Sequence, residues 1–145
     1  MATVTVGCKI PNGLILRNFV MQKVNEARAG GGFMEIERAV LVGGTVEIKG
    51  PAVRVGESSP TVVVNGAALT HGVDADFFNA WLLANKDSAM VQNHMVFAHE
   101  KHEQVTARAR EFKGELSGLQ PIVPNSDKRL PRSSSNVAVS TADAA

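Results

Sequence analysis

Between Thr3 and Ile10 the chain alternates. Val4, Val6, Cys8 and Ile10 fall on one side, and Thr3, Thr5, Gly7 and Lys9 on the other. A period of two predicts a half-buried strand. Pro11-Asn12-Gly13 is a turn signal, because Pro fixes φ and Gly accepts positive φ. Leu14 to Phe19 reads as a second strand, so the first two are expected to form a hairpin. Val20 to Gly32 is polar and ends in Gly30-Gly31-Gly32. It reads as a long loop or arm, and such segments are usually functional or held by a partner. Glu37 to Val42 and Thr45 to Lys49 are strands around Gly43-Gly44, a two-residue hairpin signal. Pro51 confines the next strand to an edge or a start. Val53 to Val55 and Thr61 to Val64 are short strands, the latter closed by Asn65-Gly66. About six short strands with turn residues between them predict an antiparallel sheet or small β-barrel.

The pattern then changes period. In Leu69 to Lys86, Asp74 is placed to cap a helix and Asp76 adds negative charge in its first turn, where the dipole favours it. Phe77 and Trp81 are four apart, as are Phe78 and Leu82, which gives the helix a broad aromatic face. Asn85 is the expected stop. Asp87 or Ser88 caps a short helical turn through Asn93, and Met95 to Ala98 is one more strand or a buried link. Glu100 to Lys113 is a second helix, with Val105, Ala109, Phe112 and Leu116 at helical spacing and Gly114 as its stop. From Ser117 onward Pro121, Pro124, Pro131 and Ser133-Ser134-Ser135 break regular structure, and such a segment is expected to be disordered when free in water. The fold class expected is α+β: an antiparallel β-sheet or small β-barrel body with two helices over residues 1–116, and an extended Pro/Ser-rich C-terminal arm over 117–145.

Composition narrows the function more than the fold. A chain of 145 residues with 44% hydrophobic content fits one soluble domain. Net charge is +1, from 15 basic and 14 acidic residues, so there is no electrostatic case for nucleic acid. Cys8, the single cysteine, has no internal partner for a disulfide, which points to a reducing compartment. No basic flank precedes an apolar run at the N-terminus, so no secretory signal is expected, and no apolar run reaches the roughly 20 residues a membrane span needs.

Candidate chemistry is sparse. His99 and His102 are three apart at a helix start and could share a metal ion, but the zinc-protease spacing is four and no third ligand is evident. A solvated helix start explains them better. Cys8 lies on the inward side of a strand and reads as a buried, inert thiol. Asp74 and Asp76 are better explained as caps than as a catalytic pair. Gly30-Gly31-Gly32 lacks the Lys-Ser/Thr end of a phosphate loop. Phe77, Phe78 and Trp81 could stack on a base or sugar, with core or subunit interface as the plainer reading. Lys128, Arg129 and Arg132 form a weak basic cluster. No constellation supplies nucleophile, base and charge stabiliser, so no enzyme, cofactor or metal is expected.

Several segments resemble a family of small proteins encoded among the virion genes of tailed bacteriophages and prophages. They are Val4-Thr5-Val6-Gly7-Cys8-Lys9-Ile10-Pro11-Asn12-Gly13-Leu14, the stretch Leu69 to Lys86, Val96-Phe97-Ala98-His99-Glu100-Lys101, Ser117-Gly118-Leu119 and Asp127-Lys128-Arg129-Leu130-Pro131. The Gly-Val-Asp-x-Asp-Phe-Phe-x-Ala-Trp block at Gly72 to Trp81 is the most specific. The resemblance implies a virion structural protein, assembled in the bacterial cytoplasm, with the major capsid protein or other virion proteins as partners and present as a homo-oligomer or in many copies. The leading expectation is a capsid cement or decoration protein bridging major capsid subunits through extended arms. A neck, head-to-tail connector or tail-fibre attachment protein is the alternative, and a small nucleic-acid or carbohydrate binding module stands behind both. The residues expected to meet the partner are Phe77, Phe78 and Trp81 on the helix and Leu119, Pro121, Ile122, Pro124, Arg129, Leu130 and Arg132 on the arm.

Overall fold

The computed structural model describes residues 1–54 and 56–119. Its elements are β1 (Thr3–Cys8), β2 (Leu14–Ala27), β3 (Phe33–Ile48), β4 (Val63–Val64), β5 (Ala67–Asp74), α1 (Ala75–Ala84), α2 (Ala89–Gln92), β6 (Val96–His99) and α3 (His102–Glu111), the last continued by a 3₁₀ turn at Phe112–Gly114. The class is α+β, with two separate antiparallel sheets. One is four-stranded in the order β4-β5-β1-β6; the other is the β2–β3 hairpin.

Four expectations are rearranged. β1 does not pair with β2; it is the inner strand between β5 and β6. Gly43-Gly44 is not a hairpin turn. Both glycines lie inside β3 with φ of 75° and 78°, and the pairing steps from Arg17↔Thr45 to Asn18↔Val42 around them. They form a two-residue bulge, where positive φ is required as it is in a tight turn. The segment Val20 to Gly32 is not a loop. Most of it is the outer half of β2, and the chain reverses at Arg28 to Gly32, where the Arg28 amide donates to the Gly32 carbonyl at 2.9 Å. Val53 is outside any strand, and only Val63–Val64 of the Thr61 to Val64 segment is extended pairing.

β1 is also not half-buried. Both of its faces are covered, because the sheet is the middle layer of three. Val4, Val6 and Cys8 meet Leu16 and Ile48 at the hairpin base and Phe78 and Trp81 of α1. On the other face Leu69 and Phe97 meet Val105 and Ala109 of α3. Thr5 of β1 and Lys9 just after it survive burial because each finds a partner. The Thr5 hydroxyl lies 3.0 Å from Nδ1 of His71. Lys9 is 6% exposed, and its ammonium donates to the carbonyls of Phe112 and Glu115. Phe112 is the C-cap of α3 and Glu115 that of the 3₁₀ turn continuing it, so Lys9 caps both ends from another element. Burial pulls the Lys9 ammonium below its ordinary range, and the nearby Glu115 carboxylate works against that shift.

α1 starts and stops where its sequence says. The Phe77 amide donates to Asp74 Oδ1 at 2.9 Å, and the Asn85 amide closes on the carbonyls of Trp81 and Leu82. Met95 to Ala98 resolves as a strand, β6. α3 buries Val105 and Ala109, but Leu116 lies beyond the 3₁₀ turn and is exposed, so the apolar stripe ends at Phe112.

Candidate assembly surface

The hairpin divides at the glycine bulge. Below it, Leu16 and Ile48 are buried and Val46 is half-buried against α1 and the sheet. Above it, Asn18–Ala27 pair with Phe33–Val42 in unbroken register. Ten paired positions at about 3.3 Å each reach roughly 30 Å past the bulge. Every residue of this outer ribbon is exposed or at most half-buried.

Directly opposed residues of an antiparallel pair share a face. One face continues that of Leu16 and carries Val20 opposite Val40, and Val24 opposite Ile36, with Val42 and Met34 at its ends. The other carries Phe19 opposite Leu41 and Met21 opposite Ala39, then turns polar at Lys23 and Asn25, and ends on Phe33. Phe33 is 79% exposed. Each face carries one diagonal ion pair, Arg38 to Glu26 at 2.6 Å on the first and Lys23 to Glu35 at 3.5 Å on the second. Both are solvent-exposed and contribute little stability, about 0–1 kcal/mol each. A two-stranded ribbon is marginal in water. This one leaves apolar side chains on both faces and two strand edges that no described residue pairs, a surface that edge-to-edge association would use.

Between the ribbon base and α1 lies a cleft of about 890 Å³. Val20, Val42 and Val46 form one wall, and Phe77, Ala80 and Ala84 the other. The Asn18 side chain donates to the Phe77 carbonyl at 3.0 Å and ties the walls together. Gly43 packs here as well: a Cβ on it would sit 3.4 Å from the Phe77 ring.

The aromatic residues expected to meet a partner divide between core and cleft. Phe78 and Trp81 point into the body, 2% and 6% exposed, with ring centroids 5.9 Å apart. They give a partner little surface. Phe77 is half-buried at the cleft. Leu119 is exposed and lines a hollow of about 470 Å³ with Pro11, Pro51 and Leu116. Pro121, Ile122, Pro124, Arg129, Leu130 and Arg132 lie outside the described residues. What the sequence reading missed is the ribbon. Its trace was there, in Val20 and Val24 on one strand and Ile36 and Val40 on the other, all of the same parity.

The histidines do not assemble as their spacing suggested. His102 faces His71 of β5, ring centroids 5.4 Å apart, while Nδ1 of His99 accepts the Lys101 amide. Among the described residues no group of three or more His, Cys, Asp or Glu side chains converges. Cys8 is fully buried, and desolvation pushes its thiol above the ordinary range. No helix among the described residues is long and apolar enough to cross a membrane.

Among the described residues, fold and surface thus define a body carrying a β-ribbon that no other element covers. No protein-family model, curated protein or solved structure matches this chain.

Proposed function

We propose that this protein is a structural subunit of a tailed-bacteriophage virion, a many-copy assembly part whose work is adhesion. The observation that carries the reading is the outer ribbon: roughly 30 Å of paired strand with apolar residues on both faces. A body buries such residues if it can, so their exposure among the described residues supports a role in which another subunit covers them. The resemblance of the Gly72 to Trp81 block to virion proteins agrees with it. In the leading form, the protein is a capsid cement or decoration protein that bridges major capsid subunits. Many weak copies of one contact, repeated over a shell, sum to strong stabilisation.

The ribbon itself favours a second reading, a neck or connector ring. A projecting arm that engages the next copy makes a head-to-tail contact, and such contacts close into rings. Copy number separates the two. Quantitative mass spectrometry of purified virions should give a ratio to the major capsid protein near one, or a simple fraction of it, for cement. About a dozen copies would mean a ring at a unique vertex. Absence from virions refutes both.

A further inference from the structure

We infer that the ribbon of one copy lies on a second copy of the same chain, with Phe33 seated in the cleft between the second copy's hairpin base and its α1. The inference rests on the assembly reading and names the partner for it.

Four observations lead there. First, among the described residues nothing covers the knob, and the cleft offers it apolar walls with Arg17, Asn18, Asp74 and Asn85 also on its lining. Phe33 is 79% exposed at the ribbon's free end, and the cleft holds about 890 Å³ with Val42, Val46, Phe77, Ala80 and Ala84 on its walls. Second, the described residues do not bring knob and cleft together. The tip stands roughly 30 Å from the bulge, and the cleft is at the bulge, so Phe33 does not reach its own cleft without unpairing the ribbon. Third, charge permits two copies to meet. From Leu14 to Ile48 there are four basic residues (Arg17, Lys23, Arg28, Arg38) and four acidic ones (Glu26, Glu35, Glu37, Glu47), so the arm carries no net charge to repel its copy. Fourth, the area suffices. Eight large apolar side chains of the hairpin are 43–79% exposed. At roughly 150–200 Å² per large side chain they expose on the order of 700 Å². Shared between the ribbon's two faces, that is roughly 350 Å² a face, within the range of a functional patch on a monomer and enough for a weak contact that repetition strengthens.

The contact is heterologous: arm meets cleft, and the second copy's arm is left for a third. That sets it apart from two arms pairing with each other. The test uses the full chain and sedimentation velocity over a concentration series. The wild type should associate into multimers larger than two. Phe33→Asp and Ala84→Trp should each weaken self-association by about thirtyfold or more, since each removes one half of a central contact. Both positions are exposed, so far-UV circular dichroism and the melting temperature should hold. If Ala84→Trp disturbs α1, Ala80→Arg blocks the same wall. Mixing the arm variant with the cleft variant leaves one intact arm and one intact cleft, and should give heterodimers that grow no further.

A monomeric wild type overturns the inference. So does a cleft variant that still associates, which would mean arm pairs with arm. A Phe33→Asp chain that associates normally but fails to enter particles would give the arm to a different virion protein, and overturns the self-contact while the assembly reading stands. Formation of the contact by a chain absent from virions would do the reverse.

Discussion

Replacing Trp81 with alanine should remove more stability than any other single truncation in α1. The side chain is 6% exposed and lies against Phe78 beneath the sheet. Its truncation takes on the order of 150 Å² of apolar surface out of the core. At about 25 cal/mol/Å² that is ~4 kcal/mol. Two corrections act in opposite directions. The unfolded chain already shields part of that surface, which lowers the figure. A void adds a cavity penalty, but Trp81 also lines the open cleft, so water enters the space and the penalty shrinks. The expected loss is about 3–4 kcal/mol, a large share of the 5–15 kcal/mol typical of a domain. The melting temperature should fall by roughly 10 °C or more. The assay is urea unfolding followed by far-UV circular dichroism, because the variant loses the only tryptophan and the chain has no tyrosine. A loss below about 1 kcal/mol would refute the core placement. Normal folding with lost assembly would put Trp81 in an interface.

Three further outcomes are expected. Gly44→Val should cost about 1–2 kcal/mol through its φ of 78° alone, since nothing lies within 4 Å of a Cβ there; an unchanged denaturation midpoint would dismiss the bulge. Cys8 should resist thiol reagents until the chain unfolds. Burial holds its folded pKa above the ordinary 9.0, so the unfolded state loses the proton first and stability from this group falls as pH rises past 9.0. The stability gap between wild type and Cys8→Ala should therefore narrow at alkaline pH, and a constant gap would contradict the burial. Lys9 acts the other way, since its lowered pKa makes stability rise as pH approaches 10.5, and comparison with Cys8→Ala cancels that contribution. Finally, a chain ending near Gln120 should fold as the full chain does but fail to bind or stabilise particles; unchanged binding would sink the C-terminal arm mechanism and leave the ribbon as the adhesive element.

Much of the local structure was legible in the chain. Alternation from Val4 to Cys8 fixes a strand, because side chains of an extended backbone point to opposite faces whatever it pairs with. Asp74 and Asn85 bound α1, because capping hydrogen bonds are made within a few residues. Gly43-Gly44 was ambiguous in principle: a hairpin turn and a bulge both need positive φ, and only the partner strand tells which occurs. The polar run from Val20 to Gly32 looked like a loop because it is half of a ribbon bathed on both sides, so no single buried face organises its pattern.

The sequence by itself determined β1, the start of β2 and the bounds of α1, because alternation and capping are local. Tertiary structure alone decided that β1 sits between β5 and β6, that Lys9 closes a helix more than a hundred residues away, and that Phe33 ends up exposed at the ribbon tip. Each of these depends on a partner distant in the chain, and the free energy of such a pairing is shared between two segments, so neither segment's sequence shows it.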